Sequence, residues 1–352
     1  MSALSKIKRR LKSCLSLLDR FLLRIAASSR FSAGLYYLVA GYFGREHVAT
    51  LAGRIAYNRS LRDPQESSAL LRRNVHRLEK GLLMRPRRVP FALNYIDETV
   101  SAYARAAEGG VQGRELCWAR DVLNEYMAVT PAHPAVDPLR ATVRDAGAKV
   151  ASVDACEQMI PYVRRMEDAP SITYEDLLGL AKFRRSVRWF LPKAVPREMV
   201  EKAVLVAGYS PTACNRQPYE FRIIDDPELV KEAIKLPMGT AGFAHQVPAL
   251  AIVVGKQRNY FKERDRHLIY TDGSLAIMSF VYGLEVQGLG SCCINWPDIE
   301  DREEKMASFL GLAPDERPIM LVAFGFPDPE GMVAYSGKKP VSVICKYNFE
   351  AK

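Results

Sequence analysis

The sequence lacks the cysteine and histidine patterns of metal-binding or disulfide-bonded proteins. Its seven cysteines are scattered and include no Cys-x-x-Cys pair, and the five histidines lie far apart. Local zinc sites and disulfide frameworks depend on closely spaced or paired residues of these types. We therefore expect no bound metal, and the unpaired cysteines fit the reducing cytoplasm.

The sequence also lacks an apolar run long enough to cross a membrane. A spanning helix needs about 20 apolar residues, and the run Leu35–Phe43 is far shorter. Near the N-terminus, Asp19, Arg20 and Arg24 interrupt the apolar region where a signal peptide needs an unbroken run. We expect neither a transmembrane segment nor secretion.

Almost all of the net positive charge lies in the first 60 residues. The net charge is +10, but residues 1–60 hold eleven Lys or Arg against two acidic residues, which leaves only +1 for the rest. This distribution argues against a nucleic-acid-binding surface on the main domain. An anionic partner, if there is one, is expected at the N-terminus.

The N-terminal segment has the periodicity of an amphipathic helix. Its apolar residues recur in steps of three and four, and Lys and Arg occupy the other surface. The apolar positions are Leu4, Ile7, Leu11, Cys14, Leu18, Phe21 and Ile25. Such a helix can lie on an anionic membrane surface, here through residues 1–30, or it can pack on its own domain or a dimer partner. Both alternatives stay open.

With 48% hydrophobic and 26% charged residues, the chain has the composition of a folded globular protein. After the basic segment of residues 1–60, residues 61–170 are expected to form an all-α extension. Turns rich in proline and glycine separate its helices. The predicted helices are Ser68–Gly81, Ala92–Ala107, Gly113–Val129 and Leu139–Met166.

Residues 171–352 alternate helices with short strands rich in β-branched residues, which predicts an α+β or α/β domain. The predicted strands are Glu220–Ile224, Ala249–Val254, Ser291–Ile294 and Ile319–Phe324. The predicted helices are Tyr174–Lys182, Pro196–Ala207, with Pro196 at its first position, and Gly273–Glu285, with Asp272 as its start signal.

A basic segment, Phe183–Phe190, follows the first of these helices. Arg184, Arg185, Arg188 and Ser186 place three guanidinium groups and a hydroxyl within five residues. Together they can grip a phosphate through charge-assisted hydrogen bonds. The alternative is a solvated helix end that interacts with its own dipole.

A polar loop, Ser210–Tyr219, connects a predicted helix to a strand. Its Asn215 and Gln217 amides suit the edge of a heterocycle, although an ordinary connection uses similar residues.

A third segment, Gly288–Trp296, passes through two glycines into a strand. Glycines allow a tight turn and close approach to a ligand, but a helix cap followed by a buried strand explains them equally. Cys292 and Cys293 should face opposite sides of the strand, so a catalytic dithiol is not expected.

In this order, and followed by Gly325-Phe326-Pro327 and Tyr335-Ser336-Gly337-Lys338-Lys339-Pro340, the segments resemble the FMN-dependent nitroreductase family over residues 182–345. The resemblance implies a three-layer α/β/α sandwich with a mixed, mainly antiparallel sheet. It also implies a homodimer in which the flavin lies across the interface.

The resemblance further implies which residues bind FMN. The basic segment would contact the phosphate, the ribityl chain and the N1/O2 side of the ring. The polar loop would come from the other subunit, the strand after Gly290 would run beside the ring with the Asn295 N–H directed at N5, and Lys338 would bind the phosphate. The full set is Arg184, Arg185, Ser186, Arg188, Pro211, Thr212, Ala213, Asn215, Gln217, Cys293, Ile294, Asn295 and Lys338.

Three positions depart from the family pattern. Thr212 stands for the common Ser and Tyr219 for the common Trp, which keeps a hydroxyl and an aromatic ring. Lys338 replaces the usual Arg, so a single ammonium group stands where a guanidinium that can donate two parallel hydrogen bonds is usual.

The implied reaction is ping-pong transfer of hydride from NAD(P)H through FMN to an electron-poor acceptor that the sequence does not identify. No Gly-x-Gly-x-x-Gly follows a strand, so no separate Rossmann site for the nicotinamide is expected. No side chain is expected to act as a catalytic acid or base, because water can supply the protons.

The alternative is a flavin-binding accessory protein, membrane-associated or partner-binding, with little NAD(P)H turnover. The helical extension is similar to those on bacterial relatives associated with surface-polysaccharide biosynthesis. Within it, His76, Arg77, Glu79 and Lys80 either line the active site or form a surface ion-pair helix.

Overall fold

The computed structural model describes residues 21–65, 67–111, 113–151 and 158–348. The chain divides into two compact units, Met1–Leu51 and Ala52–Lys352. Most of the amphipathic helix predicted over Leu4–Ile25 lies outside the described residues. The predicted boundaries at residues 60 and 170 stay predictions.

In the first unit, residues 21–26 are helical and helix α1 covers Arg30–Ala40. The Ser29 hydroxyl accepts a hydrogen bond from the Ser32 N–H, and the Ser32 hydroxyl accepts one from the Ser29 N–H, so a capping box fixes the start of α1. Gly41, with φ of 71°, ends it. No residue of α1 is buried. Across the described ranges, no helix has the length and apolarity needed to cross a membrane.

Helix α2 (Gly44–Ser60) precedes a helical region. That region contains helices α3 (Ala69–Leu82), α4 (Ile96–Glu108), α5 (Arg114–Val129) and α6 (Asp137–Gly147). These helices bury their apolar faces in a core of their own, which includes Val75, Leu78, Tyr103, Leu123 and Tyr126. The residues recur at helical spacing, which is why the sequence pattern predicted an all-α region.

The fourth predicted helix of this region was wrong in extent. It was expected over Leu139–Met166, but α6 ends at Gly147, residues 158–165 are not helical, and residues 152–157 lie outside the described ranges. Glycine is a poor helix former, and Pro161 would leave a carbonyl unpaired inside a helix. The apolar residues thus keep a helical spacing beyond Gly147, where the helix has already ended, and the prediction followed the spacing.

The remaining elements form the sheet domain. They are α7 (Tyr174–Phe183), α8 (Arg197–Gly208), β1 (Tyr219–Ile224), α9 (Pro227–Ala233), β2 (Ala249–Lys256), α10 (Leu268–Glu285), β3 (Gly290–Asn295), α11 (Glu300–Leu310), β4 (Glu316–Gly325) and α12 (Val341–Ile344). The four predicted strands are confirmed, each slightly longer than expected.

The sheet has the strand order β1-β2-β4-β3, and each neighbouring pair is antiparallel. A parallel bridge between Ser186 and Ser291 makes it mixed. Alternate residues of β2 face opposite layers: Leu250 and Ile252 pack with α9 and α11, while Ala251 and Val253 pack with α8 and α10. The predicted three-layer sandwich with a mainly antiparallel sheet is confirmed.

Helix α10 begins five residues before the predicted start, so Asp272 is not its N-cap. Asp272 lies inside the helix and is buried. Its Oδ2 atom accepts hydrogen bonds from the Ala213 N–H (3.0 Å) and the Tyr260 hydroxyl (2.6 Å). A carboxylate before an apolar run is typical of a helix N-cap, but here the carboxylate accepts a hydrogen bond from a loop that is distant in sequence. At α8, Pro196 occupies the cap position and the helix begins at Arg197.

Candidate functional site

The basic segment is held against the sheet by two isolated bridges, one to β3 and one just after β4. The Val187 N–H donates to the carbonyl of Ser291 (2.9 Å), and the Leu191 N–H donates to the carbonyl of Phe326 (2.9 Å). Ser291 is the second residue of β3, and Phe326 follows β4. The segment is therefore fixed along the sheet edge by backbone hydrogen bonds and is not a solvated helix end.

The three guanidinium groups of the segment have few internal partners. Arg184 has a buried Nε atom without an acceptor. Arg185 donates to the carbonyl of Arg184 (3.0 Å), and Arg188 makes a long bond to the carbonyl of Ser186 (3.5 Å). None forms an ion pair with a described carboxylate. A buried donor without an acceptor costs about 1–3 kcal/mol, so the cluster suits an anion with several oxygen atoms.

Two residues that the sequence did not assign to the site contact Arg188. Its guanidinium carbon lies 5.8 Å from the centre of the Phe243 ring, and its carbonyl accepts from the Gln246 side chain (2.8 Å). Phe243 precedes a short 3-10 turn, Ala244–Gln246, which leads toward β2. A cation over an aromatic ring is favourable and fixes the direction of the side chain.

Strand β3 presents an open edge beside this cluster. Cys292 and Ile294 are buried, while Cys293 and Asn295 are exposed, so the expected opposite facing of the two cysteines is confirmed. The Ser291 carbonyl points outward to Val187. Because backbone groups of alternate strand residues point the same way, the N–H groups of Cys293 and Asn295 also point to the open edge.

The two cysteines are poor nucleophiles. Burial raises the pKa of Cys292, and this effect outweighs the nearby Arg188 and Arg184 guanidinium groups, which lower the pKa. The Cys293 side chain reaches solvent, but desolvation by the surrounding protein still raises its pKa to about 11. Both thiols therefore stay protonated near neutral pH.

The polar loop has an unusual backbone. Cys214, Asn215 and Gln217 have φ values of 54°, 51° and 47°. Left-handed conformations of non-glycine residues cost roughly 1 kcal/mol or more each, and they persist where the surroundings enforce them. Such strain is common at binding sites.

Hydrogen bonds from within the sheet domain hold this backbone. The Ala213 N–H donates to Asp272, and the Gln217 N–H donates to the Thr212 hydroxyl (3.1 Å). Burial raises the pKa of Asp272, while the Tyr260 hydroxyl and the Ala213 N–H act in the opposite direction. The loop is thus tied to the middle of α10.

The side-chain amides of Gln217 and Asn215 differ in whether they already have hydrogen-bond partners. Gln217 donates to the carbonyl of Gly208 (2.8 Å) and accepts from Arg72 of α3 (3.0 Å), so both ends of its amide are already bonded. The Asn215 side-chain amide has no hydrogen-bond partner among the described residues. Asn215 is the loop amide that is free to meet a ligand.

One protomer does not bring all the residues of the predicted site together. The basic segment and Cys293–Asn295 lie at the β3 edge of the sheet, and the loop with Pro211, Thr212, Ala213 and Asn215 precedes β1 at the opposite edge. Three strand spacings separate these edges by about 14 Å. Lys338 lies in an exposed C-terminal stretch and makes no hydrogen bond or ion pair with the described residues.

The other residues singled out in the helical region serve packing. His76 contacts Glu79 (3.4 Å), Glu79 accepts from Trp118 (2.9 Å), and Arg77 stacks 3.6 Å from the Tyr95 ring centre. Lys80 is exposed. These contacts favour the ion-pair alternative over a role in the site. Arg72, which the sequence did not single out, is the residue of α3 that reaches the polar loop, and a spacing of 143 residues from Asn215 gave no signal of it.

The sheet domain matches the family model "Nitroreductase family" over residues 181–241 and 232–326. A protein of Archaeoglobus fulgidus, provisionally named an NADH dehydrogenase/NAD(P)H nitroreductase, is 26% identical over 160 residues, which cover 44% of this chain and 88% of that protein. An iodotyrosine deiodinase of Hydra vulgaris is 22% identical over 216 residues, 53% of this chain and 79% of that protein.

Among solved structures, an FMN-dependent nitroreductase of Clostridium difficile is 19% identical with a TM-score of 0.43, covering 49% of this chain and 99% of its own. The family model matches the region that carries the basic segment, the polar loop and β3. Residues 181–326 of this chain are therefore similar to the nitroreductase family.

Proposed function

We propose that this protein is an FMN-dependent oxidoreductase that takes electrons from NAD(P)H and passes them to an electron-poor acceptor. The observation that carries the proposal is the set of guanidinium groups beside the open edge of β3 that have no ion-pair partner among the described residues. Similarity to the family model supports the oxidoreductase class, and the names of similar proteins support FMN and NAD(P)H. FMN, when bound, supplies the two-electron chemistry of the reaction.

The residues of the basic segment fit an anionic cofactor. Arg184 has a buried Nε without an acceptor, and Arg185 and Arg188 have no ion-pair partner among the described residues. These groups would bind the phosphate and the N1/O2 side of the ring, with the Ser186 hydroxyl on the ribityl chain. Positive charge there favours an anionic reduced ring.

The open edge of β3 fits the remaining part of the cofactor. The N–H groups of Cys293 and Asn295 would orient the ring along the strand, and the Asn295 N–H would face N5. Ile294 is buried and would contribute packing only. Lys338 would reach the phosphate from the C-terminal stretch.

We further propose that the protein works as a homodimer. The basic segment and the polar loop lie on opposite edges of one sheet, so a flavin that contacts both needs loops from two protomers. The outer faces of α8 and α10 also expose large apolar side chains. These include Leu205 (64% exposed) and Val206 (47%) of α8 and Leu275 (44%) of α10. Exposed apolar surfaces of this kind are typical of subunit interfaces.

The first experiment is the visible absorption spectrum of the purified protein, followed by anaerobic addition of NADH and then NADPH. We expect flavin bands that one of the two donors bleaches. No flavin after reconstitution with FMN would overturn the proposal. Flavin that neither donor reduces would favour the accessory-protein alternative.

The role of the basic segment is tested by Arg188→Ala. We expect FMN affinity to fall about tenfold or more, because a charge-assisted contact to the cofactor is lost. Arg197→Ala is the matched control, since Arg197 is an exposed arginine of the same domain paired with Asp225. Equal FMN occupancy and equal reduction rates in the two variants would contradict the role of Arg188.

A separate observation favours a peripheral membrane contact at the inner face of the membrane. Phe31, Leu38 and Val39 of α1 are 82%, 79% and 82% exposed, and the first 60 residues carry a net charge of +9. Apolar side chains beside basic charge suit an anionic lipid surface. We propose that residues 1–30, together with α1, bind such a surface.

Co-sedimentation with vesicles tests this contact. We expect binding to phosphatidylglycerol vesicles that weakens with salt, little binding to phosphatidylcholine vesicles, and loss of binding in Phe31→Asp/Leu38→Asp. Leu229→Asp, at an exposed position of α9, is the control. Unchanged binding in the double variant, or no binding by the natural chain, would contradict the proposal.

A further inference from the structure

We propose that Arg72 of the helical region is a positioning residue for the cofactor site, through its hold on the polar loop. This inference rests on the proposed FMN function. Arg72 lies in α3, outside residues 181–326 that match the family model. The family pattern therefore does not account for it.

The geometry of Arg72 is that of a clamp across the strained part of the loop. Its Nε donates to the Asn215 carbonyl (2.7 Å), and its Nη2 donates to the Gln217 Oε1 atom (3.0 Å). Asn215 and Gln217 both have positive φ. One planar guanidinium therefore bonds to two of the three residues whose backbone conformation most needs external support.

The helical region in turn fixes Arg72. Its Nη1 atom pairs with Glu115 Oε2 of α5 (3.0 Å), and its guanidinium lies 5.5 Å from the centre of the Trp118 ring. The Arg72 side chain is 15% exposed. Because α3 and α5 share one core, the position of the guanidinium follows the packing of these two helices.

The clamp has a direct consequence for the ligand-facing side chain. Arg72 occupies the backbone carbonyl of Asn215 and leaves its side-chain amide without a partner among the described residues. The Gln217 side-chain amide accepts a hydrogen bond from Arg72 and donates one to the Gly208 carbonyl. In this arrangement Gln217 acts as a brace, and Asn215 presents its amide to the flavin of the partner protomer.

The test compares Arg72→Ala with Arg73→Ala. Arg73 is the next residue of α3, and its guanidinium contacts Phe261 (4.9 Å to the ring centre) and Glu98 (3.2 Å) instead of the loop. Two quantities are measured: deuterium uptake of a peptide that spans the polar loop in the FMN-free protein, and FMN affinity by fluorescence titration. The melting temperature of each variant reports on general stability.

We expect Arg72→Ala to increase uptake in the loop peptide and to weaken FMN binding about tenfold, and Arg73→Ala to change neither. Glu115→Gln, which keeps the size of the side chain but removes the charge that holds Arg72, should change both quantities in the same direction by less. It also serves if Arg72→Ala fails to fold.

Unchanged loop uptake together with FMN affinity within about twofold of the natural chain would overturn the role of Arg72. An equal response of Arg73→Ala would overturn it as well. If the natural chain binds no FMN, the proposed function fails, but the uptake measurement on the flavin-free protein still decides whether Arg72 holds the loop.

Discussion

At the residue scale, Gly290 illustrates how one position supports the site without touching a ligand. A Cβ atom at Gly290 would lie 2.8 Å from Val187 Cγ2 and 3.0 Å from Pro327 Cγ. The sequence offered two explanations for this glycine, approach to a ligand or a strand start after a cap. The structure gives a third, because the close neighbour is the basic segment.

We expect Gly290→Ala to destabilise the protein by about 1–3 kcal/mol, because the added methyl group must displace two stiff side chains. FMN affinity should fall too, since Val187 stands between Ser186 and Arg188. Urea unfolding and FMN titration measure the two effects. Gly242→Ala, where no atom of the described part of the chain lies within 4 Å of the added methyl, should change stability by less than about 0.5 kcal/mol. Equal effects of the two substitutions would refute the packing account.

At the scale of elements, the sequence predicted the strands better than the helix ends. Strands β1 to β4 carry dense β-branched runs, and periodicity located them within a few residues. The end of α6 and the start of α10 were wrong, because apolar spacing continued beyond the first and Asp272 imitated a cap at the second. Only tertiary structure shows that Asp272 serves the polar loop.

The buried carboxyl of α10 gives a pH-dependent prediction. Burial raises the pKa of Asp272 above its ordinary value of 3.8, so the folded state holds this proton more tightly than the unfolded state does. Its contribution to stability is full below the ordinary pKa and is lost as pH rises through the folded pKa. Asp272→Asn, which cannot ionise, should therefore gain stability relative to the natural chain between about pH 4 and 7.

Asp225 is the control of opposite sign. A hydrogen bond from Arg197 lowers the pKa of Asp225, so its contribution is present above the ordinary pKa and is lost as pH falls through the folded pKa. Relative to the natural chain, Asp225→Asn should lose stability over the same rise in pH. Urea unfolding at several pH values measures both differences. Differences of the same sign for the two variants would show that burial does not govern Asp272.

At the scale of the whole molecule, short motifs named the candidate site residues, but only the family resemblance, and no local pattern, implied that the polar loop lies apart from the basic segment. Short motifs mark the basic segment, the polar loop and β3, because local chemistry requires those residue types. The strand order that puts them on opposite edges depends on long-range pairing, which no local pattern records. Arg72 was missed for the same reason.

The proposed dimer leads to a complementation experiment. Arg188→Ala damages the basic segment of its own protomer, and Asn215→Ala damages the loop offered to the partner. In a dimer with one chain of each kind, one site combines both defects and the other has none. We expect isolated mixed dimers to bind about one FMN per dimer, and each parent dimer to bind far less.

Two affinity tags allow the mixed dimer to be isolated and its flavin to be counted by absorbance. Mixed dimers that bind no more flavin than the parents would contradict a site shared between protomers. A monomer that binds FMN fully would contradict it more directly.

The hydrogen bonds from Arg72 also bear on whether the sheet domain can keep its cofactor site when it is separated from the helical region. A shortened chain beginning at residue 171 would keep every residue that family resemblance assigns to the cofactor, yet lose the guanidinium that holds two of them. A domain cut at the family boundaries would thus keep all the predicted cofactor-binding residues but lose the hydrogen bonds that support the polar loop. In this protein the useful unit of engineering is larger than the recognisable domain.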